Sequence, residues 1–153
     1  MDTNNTLQQA IEQLYETANL TDNLIDDDAR ILLNWGETQL KELAAANLEP
    51  EQFETFANLV QRVMRVINQL VGQRAELDDE EMRNKMLRLL KQAINLAGGD
   101  DQILEQWQNV QGAESIVSAA NQLIEQKSEL PDTEMVERLL QLADQIKQTI
   151  QHL

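Results

Sequence analysis

The chain of 153 residues has no Cys, one His, two Pro, five Gly and five aromatic residues. The absence of Cys excludes thiol catalysis, disulfide frameworks and Cys-based zinc or iron–sulfur sites. So few Gly and Pro residues exclude collagen-like and turn-rich β architectures. Hydrophobic residues make up 42% and charged residues 25% of the chain, which is typical of one globular domain rather than of a disordered chain.

Positive charge is also scarce, because the chain has 12 basic and 27 acidic residues and a net charge of -15. Such a chain repels nucleic acid and anionic membranes at long range, so we expect neither as a partner. The longest apolar run, Leu43–Ala46, is far too short to span a membrane. No signal-peptide pattern is present, so the sequence predicts a cytoplasmic location.

The charge is unevenly distributed along the chain. Residues 1–59 carry a net charge of -10, residues 60–97 a net charge of +2, and residues 98–153 a net charge of -7. A mildly basic middle segment therefore lies between two acidic ends.

Apolar residues recur with helical periodicity almost throughout, which predicts an all-α fold: a compact antiparallel bundle of about six helices in a single domain, 1–153. We place the helices at about 6–20, about 26–46, from Pro50, from Asp78 to Gly98-Gly99, from Asp100 or Asp101, and after Pro131. Asn47 is a plausible left-handed stop for the second helix. The fifth helix either continues through Gly112, with Val117, Ala120 and Ile124 on its inner face, or breaks at Gly112.

Two segments of the chain resemble each other. Residues 18–35 and 94–107 both contain Asn-Leu, an acidic cap, Ile-Leu and then a Trp. Each half also reaches a Pro that opens a long helix. These similarities favour two three-helix pseudo-repeats that share one core, about 1–75 and 76–153.

Signals for catalysis and for cofactors are weak. His152 is one residue from the C-terminus, where a general base would lack a fixed partner. Asp26, Asp28 and Glu37 match three positions of a calcium loop, but Arg30 falls where an oxygen ligand is needed, and the acidic run is better explained as a helix start. No phosphate-binding glycine motif is present. We therefore expect no enzyme activity, no metal site and no cofactor.

The basic middle segment carries the first candidate site. Arg62 and Arg65 lie three residues apart on the third helix, and Arg88 and Lys91 lie three apart on the fourth. Asp79–Arg83 and Glu81–Lys85 have the spacing of ordinary helix-stabilising pairs, whereas the four candidate residues lack such partners. They form either a solvated face that bridges to acidic helices or a docking patch for an acidic partner or an anionic ligand.

Trp35 is the fifth candidate residue. It precedes Gly36 inside the second helix, and a mid-helix Gly usually permits close helix approach beside a packed Trp. Core packing is the simpler interpretation, and a Trp wall of a binding groove is the alternative.

These features favour a non-enzymatic protein-interaction module, a small acidic helical adaptor or regulator that binds another protein or itself. The alternative is a bundle that binds a small anionic ligand or metabolite through the basic patch on the third and fourth helices. A third hypothesis, an acidic mimic of nucleic acid, is disfavoured because the acidic runs lie mainly at helix starts.

Overall fold

The structure is a computed structural model that describes residues 3–19 and 26–152. It confirms the all-α class, and no strand occurs in these two ranges. The α-helices are α1 (Thr3–Asn19), α2 (Asp26–Ala45), α3 (Pro50–Gln73), α4 (Asp79–Leu96), α5 (Asp101–Glu105), α6 (Ala113–Glu125) and α7 (Asp132–Gln151), with a one-turn 3-10 helix at Trp107–Asn109. None of the described helices is long and apolar enough to cross a membrane.

Local sequence signals fix the helix ends. Pro50 opens α3, where its missing N–H would have no helical partner. The Asp78 carboxylate caps α4 by accepting a hydrogen bond of 2.8 Å from the Glu81 backbone N–H. Beyond α2, Asn47 has the predicted left-handed backbone with a φ of 56°, and Gly98 ends α4 with a φ of 92°.

The fifth predicted helix is broken. It becomes the five-residue α5, the 3-10 turn and α6, so of the two alternatives the break near Gly112 is the observed one. Gly112 has a φ of 91°, a left-handed conformation that a glycine adopts without a steric penalty. Trp107 lies in the 3-10 turn within this break, and its side chain is buried there.

The two Trp residues of the predicted repeats lie in different elements. Trp35 is in the middle of α2, whereas Trp107 begins the 3-10 turn. The two Trp residues therefore do not lie in equivalent elements, and the duplication remains a prediction.

Two helices organise the core. Helix α7 packs against α2, α3, α4 and α6, while α3 packs against α1, α2, α4 and α7. Helices α1, α2 and α3 approach closely at Gly36, where an added Cβ atom would lie 2.8 Å from Met64 Sδ and 2.9 Å from Leu14 Cδ1. The mid-helix glycine thus permits the close packing that the sequence predicted.

Two cations join the α3–α4 connection to the α6–α7 connection. Arg74, at the end of α3, donates a hydrogen bond of 3.0 Å to the Leu130 carbonyl and pairs with Asp132 at 2.5 Å. Lys127, after α6, donates in return to the Leu77 carbonyl at 2.7 Å. We call these reciprocal contacts the loop clamp. Helix α4 leads away from the loop clamp and α6 leads toward it, so the two helices are antiparallel.

Candidate functional site: a cationic hairpin face beside an apolar groove

The antiparallel hairpin of α3 and α4 concentrates the positive charge of an acidic protein. Residues 55–75 and 82–99 contain no Asp or Glu, although the chain has 27 acidic residues, and together they hold seven of its 12 cations. Both acid-free segments lie mainly within α3 and α4, which pack against each other. The fold therefore places two acid-free stretches of sequence side by side.

The four predicted basic residues are exposed on the two helices of this hairpin. A spacing of three keeps each pair on one face of its helix. Arg65 and Arg88 each lie about two and a half turns from the α3–α4 connection, while Arg62 and Lys91 each lie about three turns from it. We call this set, Arg62, Arg65, Arg88 and Lys91, the cationic face.

Most of the cationic face has no anionic partner within the described part of the chain. Neither Arg62, Arg65 nor Arg88 has an ion pair there, and Lys91 only approaches Asp101, with 4.0 Å between Nζ and Oδ1 and both side chains largely solvated. An exposed pair at that distance contributes little stability. Among the described residues, this long Lys91–Asp101 contact is therefore the one link from the cationic face to an acidic side chain.

The two helix pairs predicted on α4 are wrong. Asp79 binds Lys127 across the bundle at 3.2 Å rather than Arg83 one turn along its own helix. No ion pair between Glu81 and Lys85 is formed either. Lys127 is largely buried and also donates to a backbone carbonyl, so its ammonium group is held beside Asp79, whereas Arg83 is exposed. Arg83 is consequently left as a further cation without an ion pair among the described residues.

An apolar groove lies next to the α3–α4 hairpin, between α4 and α6. Its volume is about 210 Å³, and α7 forms its floor through Leu142 and Ile146. The walls are almost entirely apolar, with Arg83 and Asn121 as the polar exceptions; they comprise Met86, Leu87, Leu90, Trp107, Ile116, Val117, Ala120 and Ile124. We call this the α4–α6 groove.

The two lips of the groove are exposed apolar side chains. Leu87 on α4 is 56% exposed and Val117 on α6 is 45% exposed, which makes them the large apolar residues most open to solvent in the described structure. Val117 was predicted to lie on an inner helix face, and that prediction is wrong. Leu87 was not among the predicted site residues, although its position outside the inner apolar stripe of α4 is a signal for an exposed apolar contact.

Trp35 lies apart from the cationic face, between α2 and α7. It is 8% exposed, and its Nε1–H donates a hydrogen bond of 2.9 Å to Asp144 Oδ1. It also lines a polar cleft of about 420 Å³ together with Glu42 and Lys147. None of the four cationic-face residues lines this cleft or the α4–α6 groove, so the structure does not bring Trp35 and the cations to one site.

A second polar cleft, of about 460 Å³, lies where α6 begins and α7 ends. It contains both Ser115 and His152, which the sequence did not place together. Both side chains are exposed, and no hydrogen bond joins them. A nucleophile and its base need such a bond and a third group that orients the base, so this pair lacks the geometry of an activated serine.

Groups of three or more His, Cys, Asp or Glu side chains able to hold a metal are absent from the described structure. The side chains of Asp26 and Asp28, considered above as part of a calcium loop, lie outside the described residues. Asp100, by contrast, is described and acts as a helix cap by accepting hydrogen bonds from the backbone N–H groups of Gln102 and Ile103. The acidic start of α5 therefore has a structural role.

Comparisons with protein-family models, with curated proteins and with solved structures found no match. A function for this chain must therefore be argued from its own surfaces.

Proposed function

We propose that this chain is a non-enzymatic protein-interaction module, a small adaptor or regulator that binds an acidic partner protein through the cationic face of the α3–α4 hairpin. One observation carries this proposal: four exposed cations of an acidic protein lie in the acid-free segments of α3 and α4, and three of the four have no ion pair among the described residues. Charges left unpaired in this way are available to an oppositely charged partner.

Electrostatic complementarity would steer the partner to this face and orient it there. The acidic remainder of the surface would repel the same partner, because like charges brought together at an interface are unfavourable. Attraction at the cationic face and repulsion elsewhere together favour one docking orientation of the partner. A cytoplasmic location is part of this proposal, since a chain without Cys needs no oxidising compartment.

The alternative, a small anionic ligand held by the same cations, has less support. A ligand site is concave and has convergent polar groups. The four cations project from the outer faces of two helices and line none of the three clefts described above. An extended partner surface fits this arrangement better than a small ligand does.

The test is affinity capture from an extract of the source cells with the immobilised full chain. The Arg62→Glu/Arg65→Glu variant should lose a partner that the unaltered chain retains in stoichiometric amount, and moderate salt should weaken that capture because exposed charges are screened. A Lys41→Glu/Arg138→Glu variant makes the same change in net charge on α2 and α7 and should retain the partner. Equal capture by both variants would contradict docking at the cationic face.

Self-association through the same face is a variant of this proposal. It requires the cationic face of one chain to meet an acidic surface of another. Light scattering at low salt and high protein concentration would then show a dimer or larger species. A strict monomer under those conditions would remove this variant and leave a separate partner.

A further inference from the structure

The α4–α6 groove has features that the cationic face does not explain. Its lips, Leu87 and Val117, are about half exposed, whereas the other large apolar residues in the described part of the chain are buried or partly buried. Adjacent exposed apolar residues above an apolar floor are typical of a contact surface for another molecule. Covering both lips needs an occupant that is wider than the groove itself.

The length of the groove fits two turns of a helix. Its α4 wall runs from Arg83 to Leu90 and its α6 wall from Ile116 to Ile124, which correspond to about 10 to 12 Å at 1.5 Å per residue. An occupying helix covers this distance with apolar residues at positions i, i+3 or i+4, and i+7. A small apolar molecule could fill the floor but would leave the lips exposed.

The charge along the α4 lip of the groove indicates the polar residues that the occupant would place against it. Leu87 has Arg83 one turn before it and Lys91 one turn after it, on the same side of α4. Arg83 also lines the groove and has no ion pair among the described residues. An apolar residue placed against Leu87 would therefore lie between two cations, which favours acidic residues one turn to either side of it.

We propose, building on the interaction role proposed above, that the α4–α6 groove binds an amphipathic helix of the partner, with an apolar ridge two turns long and flanking Asp or Glu residues. The apolar ridge lies on the floor formed by α7, between the lips Leu87 and Val117. The acidic flank pairs with Arg83 and extends toward the cationic face. The groove thus supplies the apolar part of the interface and the hairpin supplies its charge.

The experiment is selection of a display library of random 16-residue peptides on the full-length protein. We expect enriched peptides to carry apolar residues at i, i+3 or i+4, and i+7, with acidic residues beside them. A Val117→Glu variant places a carboxylate on the lip and should weaken the selected peptides by about tenfold or more. Arg83→Glu should weaken acidic peptides and spare peptides whose acidic residues have been replaced by Gln.

Matched controls separate docking from folding. Because Val117 and Arg83 are exposed, their substitution should leave the urea midpoint of the protein nearly unchanged. Gln122→Glu adds the same negative charge at an exposed position of α6 outside the groove and should bind the peptides within about twofold of the unaltered protein. Loss of binding in Gln122→Glu equal to that in Val117→Glu would overturn the assignment of the groove.

Other results would also overturn it. These are no enriched peptide, enriched peptides that bind Val117→Glu as tightly as the unaltered protein, or enriched peptides that are basic.

Saturation of the groove by octanoate without any enriched peptide would assign it to a small amphipathic anion. A dimer abolished by Val117→Glu would assign it to a second copy of the chain. If peptides select the groove while Arg62→Glu/Arg65→Glu leaves partner capture intact, only the role of the cationic face fails.

Discussion

Trp35 Nε1 donates a hydrogen bond of 2.9 Å to Asp144 Oδ1, and this bond joins α2 to α7 across 109 positions of sequence. The second Trp of the chain differs in this respect. Trp107 is equally buried, at 6% exposure, but its Nε1–H has no partner among the described residues. Two indole rings of similar burial thus have opposite hydrogen-bonding states in one small protein.

This contrast predicts different effects of one substitution. Trp35→Phe loses ring contacts and also a hydrogen bond to a charged acceptor, whereas Trp107→Phe loses ring contacts and an unpaired buried donor. We expect Trp35→Phe to lower the free energy of unfolding by about 1 to 2 kcal/mol more than Trp107→Phe does. Urea denaturation followed by circular dichroism measures both. Equal destabilisation would show that the bond to Asp144 contributes nothing net.

The loop clamp predicts unusually large effects for two cations. Arg74 and Lys127 are each 17% exposed, and both donate to backbone carbonyls in the opposite connection. Arg74→Ala and Lys127→Ala should each cost about 1.5 to 3 kcal/mol, because they remove charge-assisted hydrogen bonds in a largely buried setting. Arg138→Ala is the control, since Arg138 is 42% exposed and, among the described residues, pairs only with Glu134 one turn away on α7. It should cost less than about 0.5 kcal/mol.

The stability of a Gly36→Ala variant should not follow the usual helix propensity. Ala is normally preferred over Gly in a helix by about 1 kcal/mol. At Gly36 the new methyl group would meet Met64 Sδ at 2.8 Å and Leu14 Cδ1 at 2.9 Å, so the gain is offset by repacking. Gly72→Ala at an exposed position of α3 should stabilise the protein, whereas Gly36→Ala should not. Thermal denaturation of the two variants gives the comparison, and a stabilising Gly36→Ala would show that α1 and α3 are not held close at this point.

The N-cap of α4 predicts a small, local effect. Asp78→Ala should destabilise the protein by about 1 kcal/mol, because it removes the acceptor for the Glu81 N–H. Asp78→Asn retains a side-chain oxygen that can accept the same hydrogen bond, on a side chain of the same length, and should destabilise the protein much less. If the Asn variant is as unstable as the Ala variant, the charge of Asp78 at the helix start stabilises α4 rather than its hydrogen bond.

The sequence by itself determined several of the helix ends. Pro50, Asp78 and Asn47 act within one turn of their own position, so their effect can be read without knowing the fold. The exposure of the four cations was equally local, because it follows from their position off the apolar stripe of each helix. The all-α class followed from periodicity repeated along most of the chain.

Only the tertiary structure decided which side chains meet. Asp79 pairs with Lys127 from a distant helix, a competition that spacing along α4 cannot reveal. Val117 continues an apolar stripe in sequence, yet it lies on a groove lip and is 45% exposed, because neighbouring described helices leave this edge of α6 uncovered. A helical pattern specifies which face of a helix is apolar. Whether a neighbour covers the whole of that face depends on how the helices pack, and the uncovered edge is where we place the partner helix.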